Sequence, residues 1–284
     1  MAKSKFSIDN ENQWCPGCGN FSIIKSMENA FTDLGLEPKD LLIISGIGQA
    51  GKTPNYIECN SVHGLHGRAL PIATGAKIAN TDLRIIVNTG DGDCYGEGGN
   101  HFLAAIRRNI DLTVLIHDNQ IYGLTKGQAS PTSALGMKTK NQSKGTVSSA
   151  FNPVATALVM GAGFIAQGFS GSMKQLQYLI AEAINFKGFS MVNIYQPCVS
   201  FNKINTLSWY KSRVFDLNDT DHDPEDYDKA LQTVHNKDSK IPTGIIYRNR
   251  GVPFHERLDV LKKRPLLKHK FGKAELENIF SNAV

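Results

Sequence analysis

The sequence is poor in the features that mark secreted, membrane-spanning and nucleic-acid-binding chains. It holds only 5 cysteines in 284 residues, an odd number that argues against a secreted disulfide framework. No apolar run approaches the roughly 18 residues of a membrane span, and the polar segment from Met1 to Gln13 lacks the apolar core of a signal peptide. The net charge of +5 is mild, whereas nucleic acid usually requires a concentrated basic face. We therefore expect a cytoplasmic protein with no membrane and no nucleic-acid partner.

What the chain does have is a regular alternation of helical and strand-like segments, with 41% hydrophobic residues to fill a core. Apolar residues at helical spacing indicate helices, and short apolar runs bounded by turn residues indicate buried strands. The helices are predicted at 21–37, 69–80, 97–109, 151–162 and 173–186, and the strands at 41–45, 83–90, 112–119, 164–169 and 189–197. This order predicts an α/β fold, a mostly parallel sheet with helices on both faces.

Two stretches depart from the alternation. Residues 120–150 are rich in Gly, Ser, Thr and Lys, and we predict a long loop there, which in a compact domain is usually functional. Residues 198–284 are polar and charged, with a basic stretch over residues 262–273. We therefore predict a first domain over residues 1–200 and an irregular C-terminal extension over residues 201–284 that packs on the core or on a partner.

Glycines, carboxylates and an amide follow two successive predicted strands. Gly90 to Asp93 reads GDGD, and His117 to Asn119 reads HDN. Ligands of open parallel sheets bind at the carboxyl ends of the strands, where these segments should meet. Asp91 and Asn119 offer the hard oxygens that Mg²⁺ shares with phosphates, and glycines at 90 and 92 allow backbone N–H groups to approach a diphosphate. Two ordinary turns of a doubly wound fold are the alternative.

A second glycine-rich segment, Gly46 to Gly51, matches the G-x-G-x-x-G pattern of dinucleotide sites. That reading requires a helix to begin there, but Pro54 follows closely and disfavours one. No strand ending in an acidic residue follows about 20 residues later, as that pattern requires. We interpret the segment as a glycine turn near a cofactor or a thioester substrate.

The cysteines include one close pair, Cys15 and Cys18. Such a pair can be a redox dithiol, half of a zinc site or half of an iron–sulfur site. A cubane cluster needs four thiolates, and the remaining cysteines are Cys59, Cys94 and Cys198. Cys198 follows the last predicted strand and should lie on the cofactor side, whereas Cys94 is better explained as a small apolar core residue.

Taken together, seven short motifs between residues 12 and 215 resemble the β subunit of the 2-oxoacid:ferredoxin oxidoreductase family. They are WCPGCG from Trp14, SGIG from Ser45, LHGR from Leu65, GDGD from Gly90, HDN from His117, YGLTKGQASP from Tyr122 and QPC from Gln196. The resemblance implies the pyrophosphate-domain fold of thiamine-diphosphate enzymes. It also implies Mg²⁺ bound by Asp91, Asn119 and the backbone carbonyl of Ile121.

The same resemblance implies a [4Fe–4S] cluster and assigns further residues. Cys15, Cys18 and Cys198 match three cluster ligands, but Gln49 stands where the family has its fourth cysteine, and we hypothesise that Cys59 replaces it. Lys52 matches a residue linked with coenzyme A, and Lys126 matches one near the substrate carboxylate. His66 and Lys126 are the expected catalytic residues. The expected cofactor-binding residues are Gly48, His66, Gly90, Gly92, Asp93, Leu124 and Thr125.

The activity implied by the resemblance is oxidative decarboxylation of a 2-oxoacid, with the acyl group passing to coenzyme A and the electrons passing through the cluster to ferredoxin. The chain would need an alpha (or alpha-gamma) partner, because in this family the glutamate that activates the cofactor lies there. Two alternatives stay open from the residues alone. One is the diphosphate-binding half of a non-oxidative thiamine-dependent decarboxylase, and the other is an iron–sulfur electron-transfer component without cofactor chemistry of its own.

Overall fold

The structure is a computed structural model that describes residues 4–235, 240–270 and 272–282. Its helices are α1 (Asn20–Asp33), α2 (Ala69–Ala79), α3 (Gly99–Arg108), α4 (Pro153–Val159), α5 (Met173–Asn185), α6 (Leu207–Lys211), α7 (Tyr227–Val234), α8 (Asp259–Lys263) and α9 (Lys273–Ser281). Its strands are β1 (Leu41–Ser45), β2 (Asn60–His63), β3 (Arg84–Gly90), β4 (Leu112–Asp118), β5 (Ile121–Tyr122), β6 (Gln128–Ala129), β7 (Phe164–Phe169), β8 (Phe189–Tyr195), β9 (Val214–Asp216) and β10 (Ile241–Arg248). None of these helices is long and apolar enough to cross a bilayer.

Within the described residues, eight strands form one sheet in the order β2-β1-β3-β4-β8-β7-β10-β9, and β5 and β6 form a separate small hairpin. Pairing from β2 across to β7 is parallel. The exception is β10, which runs antiparallel to β7 and carries β9 parallel to itself at the far edge. The prediction of a mostly parallel sheet is confirmed.

The sheet separates two apolar cores, which explains why its central strands have continuous apolar sequences. Successive side chains of a strand point to opposite faces, so neighbouring residues enter different cores. Ile43 packs in the core beneath α1 and α5, whereas Ile44 packs in the core beneath α2 and α3. Leu115 and Val114 of β4 divide in the same way. Helices therefore cover both faces, as predicted.

Three regions hold more regular structure than the sequence indicates, and the first is the predicted loop over residues 120–150, where β5 and β6 form a short hairpin. Strand β2 lies in a stretch for which the sequence analysis predicts no helix or strand, and its side chains are all exposed at the sheet edge. The predicted irregular extension also begins too early, because α6, β9, α7 and β10 follow residue 200 and two of these elements complete the sheet. Strands β2 and β9 lie at the edges and bury too little to carry a recognisable apolar pattern, whereas β10 is buried but its apolar run is interrupted by Pro242 and Gly244.

Candidate active site and thiol pocket

The site lies where β3 and β4 end side by side, with Gly90 of β3 in register with His117 of β4. The segments that follow these strands, together with the glycine turn after β1, enclose a pocket of about 70 Å³. The lining contains all ten residues expected at the metal and the cofactor: Gly48, His66, Gly90, Asp91, Gly92, Asp93, Asn119, Ile121, Leu124 and Thr125. Four separate segments thus converge on one pocket, and those after β3 and β4 meet there as the strand-end argument requires.

Asp91 is buried at the base of this pocket and is held by the long loop after β4. Its Oδ2 accepts hydrogen bonds from Ser130 Oγ at 2.5 Å and from Thr132 Oγ1 at 2.6 Å. These bonds fix the orientation of the carboxylate before any ligand binds. Burial raises the pKa of Asp91, so its charged form would be favoured by a nearby cation.

A second buried carboxyl, that of Asp118, lies beside the first. Thr132 Oγ1 is also 2.9 Å from Asp118 Oδ1, and Asn193 Nδ2 donates to Asp118 Oδ2 at 3.1 Å. The pKa of Asp118 is raised to about 7, mainly by burial and secondly by the charge of Asp91. Two close carboxyls in a dry environment create a negative potential that a divalent cation would relieve.

Asn119 and Ile121 are brought together by a tight local turn. The backbone N–H of Ile121 donates to Asn119 Oδ1 at 3.0 Å, and Asn202 Nδ2 donates to the backbone carbonyl of Asn119 at 3.2 Å. In the described ranges, no group of three or more His, Cys, Asp or Glu side chains could hold a metal ion by itself. One carboxylate, one amide oxygen and one backbone carbonyl instead suit Mg²⁺, which completes its shell with phosphates and water. The residues present therefore fit a diphosphate-bound Mg²⁺.

Asp93 lines the pocket, but its carboxylate is occupied by the protein itself. Oδ1 accepts from the backbone N–H of Ile47 at 3.1 Å and of Gly67 at 2.7 Å, and Oδ2 accepts from Thr89 Oγ1 at 2.6 Å. A Cβ on Gly46 would lie 1.8 Å from Asp93 Oδ2, so only glycine fits there. Asp93 thus joins three loops around the pocket, a role that the sequence did not indicate.

His66 reaches the pocket from the loop before α2. Its Nδ1 lies 2.9 Å from Asp93 Oδ1 and 3.3 Å from Glu97 Oε2, although neither contact has hydrogen-bond geometry. Lys52 and Lys126 are different, because neither lines the pocket in the described chain. Lys126 is exposed at the tip of the β5–β6 hairpin, with a positive φ of 74°. The catalytic and coenzyme A roles expected of these residues stay predictions.

Five residues of the pocket lining were not predicted as cofactor or metal residues: Ile47, Gln49, Ala50, Tyr122 and Gly123. Tyr122 packs its ring against Gly92, where a Cβ would meet Tyr122 Cε1 at 2.3 Å. The Tyr122 hydroxyl lies 3.1 Å from Glu97 Oε2 and 3.3 Å from the Gly92 carbonyl. Gln49 also lines the pocket. None of these residue types suggests a ligand site by itself, so only the folded loops show their position.

A second, smaller pocket of about 30 Å³ adjoins the first and is lined by Cys15, Cys18 and Cys198. Ser200 Oγ donates to Cys15 Sγ at 3.0 Å, and Gln196 Nε2 donates to Cys18 Sγ at 3.4 Å. Hydrogen bonds of this kind stabilise thiolates and tune iron–sulfur clusters. Cys198 is far from Cys15 and Cys18 in the sequence, yet all three thiols line one pocket, so they could supply three of the four thiolates that a cubane cluster needs.

Cys59, the hypothesised fourth ligand, is not among the residues that line this pocket. It packs instead against the core beneath α1 and α5, and burial raises the pKa of its thiol to about 11. Cys94 is buried in the opposite core, as a small apolar residue would be. Gln49 is one of the polar side chains that line the pocket beside the three thiols, together with Asn119, Gln196 and Ser200. The structure therefore contradicts the hypothesis that places Cys59 at the cluster.

Comparison with protein-family models gives the class of protein to which the chain belongs. Residues 46–194 match the family model described as "Thiamine pyrophosphate enzyme, C-terminal TPP binding domain". Residues 198–263 match the family model for the C-terminal region of the pyruvate ferredoxin oxidoreductase beta chain. The fold and the pocket at the ends of β3 and β4 are thus those of a thiamine-diphosphate-binding domain.

The relatives narrow this class to one family. The chain is 45% identical over 262 residues to the 2-oxoacid:ferredoxin oxidoreductase subunit beta of Saccharolobus solfataricus, covering 87% of this chain and 85% of that one. It is 44% identical over 258 residues to the corresponding protein of a Sulfolobus species, covering 86% and 84%. It also resembles the structure of 2-oxoglutarate:ferredoxin oxidoreductase from Magnetococcus marinus with 2-oxoglutarate, coenzyme A and succinyl-CoA bound. That match has a TM-score of 0.90 and 35% identity, over 98% of this chain and 94% of the other. The chain belongs to the family of 2-oxoacid:ferredoxin oxidoreductase beta subunits.

Proposed function

We propose that this chain binds thiamine diphosphate through Mg²⁺ and a [4Fe–4S] cluster beside it, in an enzyme that oxidises a 2-oxoacid with coenzyme A and reduces ferredoxin. One observation carries the proposal: the cofactor pocket and the thiol pocket share Gln49, Asn119 and Gly123 in their linings. Because electron transfer slows steeply with distance, a shared wall suits a reaction in which electrons leave the cofactor for the cluster.

Each part of the site has a task in this proposal. Asp91, Asn119 and the Ile121 carbonyl would hold Mg²⁺, and Ser130 and Thr132 orient Asp91 toward it. The turns at Gly48 and Gly90 leave room for a diphosphate to approach the backbone, whereas the space beside Gly92 is filled by the Tyr122 ring. Bound thiamine diphosphate supplies the electron sink that decarboxylation of a 2-oxoacid requires.

The remaining cations suit the anionic substrates. Lys126 lies beside the pocket on the exposed hairpin tip, where its ammonium could pair with the substrate carboxylate. Lys52 lies in the 3₁₀ turn Ala50–Asn55, next to the pocket residues Gln49 and Ala50, and could pair with a phosphate of coenzyme A. His66, close to two carboxylates, would hold or move a proton at the mouth.

The alpha partner is part of the proposal, since the relatives are named as beta subunits. Exposed apolar side chains on the loops near the pocket support it. Leu65, one residue before His66, is 74% exposed, and Leu135 in the loop after β6 is 65% exposed. Such side chains are usual on surfaces that a partner covers. The five free cysteines also fit a reducing, cytoplasmic setting.

The test has two stages. Isothermal titration of the isolated chain with thiamine diphosphate and Mg²⁺ should show binding that Asp91→Ala and Asp91→Asn both abolish. Asp111→Asn, which alters a partly buried aspartate outside the pocket lining, should leave binding intact. Wild-type-like affinity in both Asp91 variants would refute the metal site.

In the second stage, the complex copurified with its alpha partner is assayed across a panel of 2-oxoacids with coenzyme A, following reduction of ferredoxin or viologen. Reduction that depends on one 2-oxoacid would name the substrate. Release of an aldehyde without any electron acceptor being reduced would instead establish a non-oxidative decarboxylase.

A further inference from the structure

We propose that Gln49 supplies the fourth ligand of the cluster, through its carboxamide oxygen, so that one iron lacks a thiolate and can be exchanged. This inference rests on the proposed function, which places a cluster among Cys15, Cys18 and Cys198. It concerns how that cluster is held.

The first support is the position of Gln49. Gln49 lines the thiol pocket, and so do Gly123 and Cys198. A Cβ built on Gly123 would lie 3.8 Å from Gln49 Cγ and 4.0 Å from Cys198 Sγ, so both groups approach the same point of the wall. The Trp14 indole N–H donates to the backbone carbonyl of Gln49 at 2.8 Å, which ties residue 49 to the loop that carries Cys15.

The second support is an unmet hydrogen-bond requirement. Gln49 Oε1 is buried and has no hydrogen-bond partner within the part of the chain that the structure describes, and the same holds for Gln196 Oε1, whose Nε2 already donates to Cys18 Sγ. A buried acceptor left without a partner is destabilising, so it needs an explanation. Coordination to a metal ion would satisfy it, and the neighbouring thiols are the ligands that iron clusters prefer.

The third support is that no further thiol is available. All 5 cysteines lie in described parts of the chain. Three line the pocket, Cys59 packs on the core beneath α1 and α5, and Cys94 is buried in the opposite core. The fourth corner must therefore be filled by something other than cysteine.

The chemical consequence is a weakly held iron. A carboxamide oxygen is a hard, neutral ligand, whereas the other three irons each have a soft, anionic thiolate. Oxidation should remove the oxygen-bound iron first, by the balanced step [4Fe–4S]²⁺ → [3Fe–4S]⁺ + Fe²⁺ + e⁻. The electron passes to an added oxidant such as ferricyanide, which becomes ferrocyanide.

The test uses the complete, anaerobically purified complex in four forms: wild type, Gln49→Cys, Gln49→Ala and Cys59→Ser. Each is treated with a stoichiometric amount of ferricyanide, and the three-iron cluster is followed by EPR with released Fe²⁺ measured by a chelator. We expect wild type to convert, Gln49→Ala to convert several-fold faster, and Gln49→Cys to resist. Cys59→Ser should match wild type, and added Fe²⁺ with thiol should restore the wild-type four-iron cluster.

Three results would overturn the inference. Equal conversion rates in wild type and Gln49→Ala would show that the carboxamide is no ligand. If the wild-type cluster resists ferricyanide and the Cys59→Ser variant loses the cluster, then Cys59 is the fourth ligand. Absence of iron and acid-labile sulfide from the wild-type complex would remove the cluster from the proposed function as well, whereas the first two results leave that function intact.

Discussion

Replacing Asp93 tests whether its carboxylate is structural or contacts the cofactor. In the structure it accepts the backbone N–H groups of Ile47 and Gly67 on one oxygen and the hydroxyl of Thr89 on the other. Asp93→Ala removes all three bonds. Asp93→Asn keeps an oxygen for the two backbone donors and presents an amide to a hydroxyl that can accept as well as donate.

The expected losses of folding free energy depend on whether each of the three donors can find another acceptor. Thr89 Oγ1 is also 3.3 Å from the Gly90 carbonyl and can turn to it, and the N–H of partly buried Ile47 can reach water. The buried N–H of Gly67 has no alternative acceptor among the described residues. Asp93→Ala should therefore lower the free energy of unfolding by about 2–4 kcal/mol, against about 1 kcal/mol for Asp93→Asn. The difference of about 2 kcal/mol corresponds to a fall in Tm of about 4–8 °C in a chain of this size.

Urea denaturation and thermal melting of the two variants measure this difference, and titration with thiamine diphosphate and Mg²⁺ measures its effect on the site. Because the loops of Ile47 and His66 lose their common anchor, Asp93→Ala should also bind the cofactor more weakly than Asp93→Asn. If both variants unfold at the same urea concentration and bind equally, Asp93 does not organise these loops and the reasoning fails.

Two further predictions concern other parts of the fold. Burial raises the pKa of Asp111, but the Lys77 charge and hydrogen bond outweigh it and hold this pKa below its usual value. The stabilisation is then complete above about pH 4 and lost as pH falls through the lowered pKa. Urea titrations should show Lys77→Met costing about 3 kcal/mol at pH 7 and progressively less in acid, and a loss independent of pH would contradict the ion pair. Gly92→Ala forces a Cβ into the Tyr122 ring, so thermal melts should show about 1–3 kcal/mol of destabilisation. A second change, Tyr122→Ala, should make the glycine substitution nearly neutral, and full additivity of the two would argue against the contact.

The sequence predicted the central sheet well because burial leaves a clear pattern there. Strands β1, β3, β4, β7 and β8 are buried on both faces, and each lies within two residues of its predicted bounds. The missed strands lie at or near the edges. Strand β2 is polar and exposed, and β10 is interrupted by Pro242 and Gly244, so neither shows a continuous apolar run.

The sequence likewise predicted some residues of the site and not others. Asp91 and Asn119 could be placed from the sequence, because each directly follows a strand whose end is predictable. Ser130, Thr132 and Gln49 could not, because they reach the site only through the folding of loops that have no periodicity. Cys59 shows the limit most clearly, since counting thiols suggested a ligand where the structure has a residue packed on the core.

The wall that Gln49, Asn119 and Gly123 form between the two pockets has a consequence for handling the enzyme in air. If oxygen removes iron from the thiol pocket, the shared residues lose a contact on that side and can move, and they also shape the cofactor pocket. If the proposed cluster occupies the thiol pocket, the amount of bound thiamine diphosphate and the iron content should therefore decline together during aerobic storage.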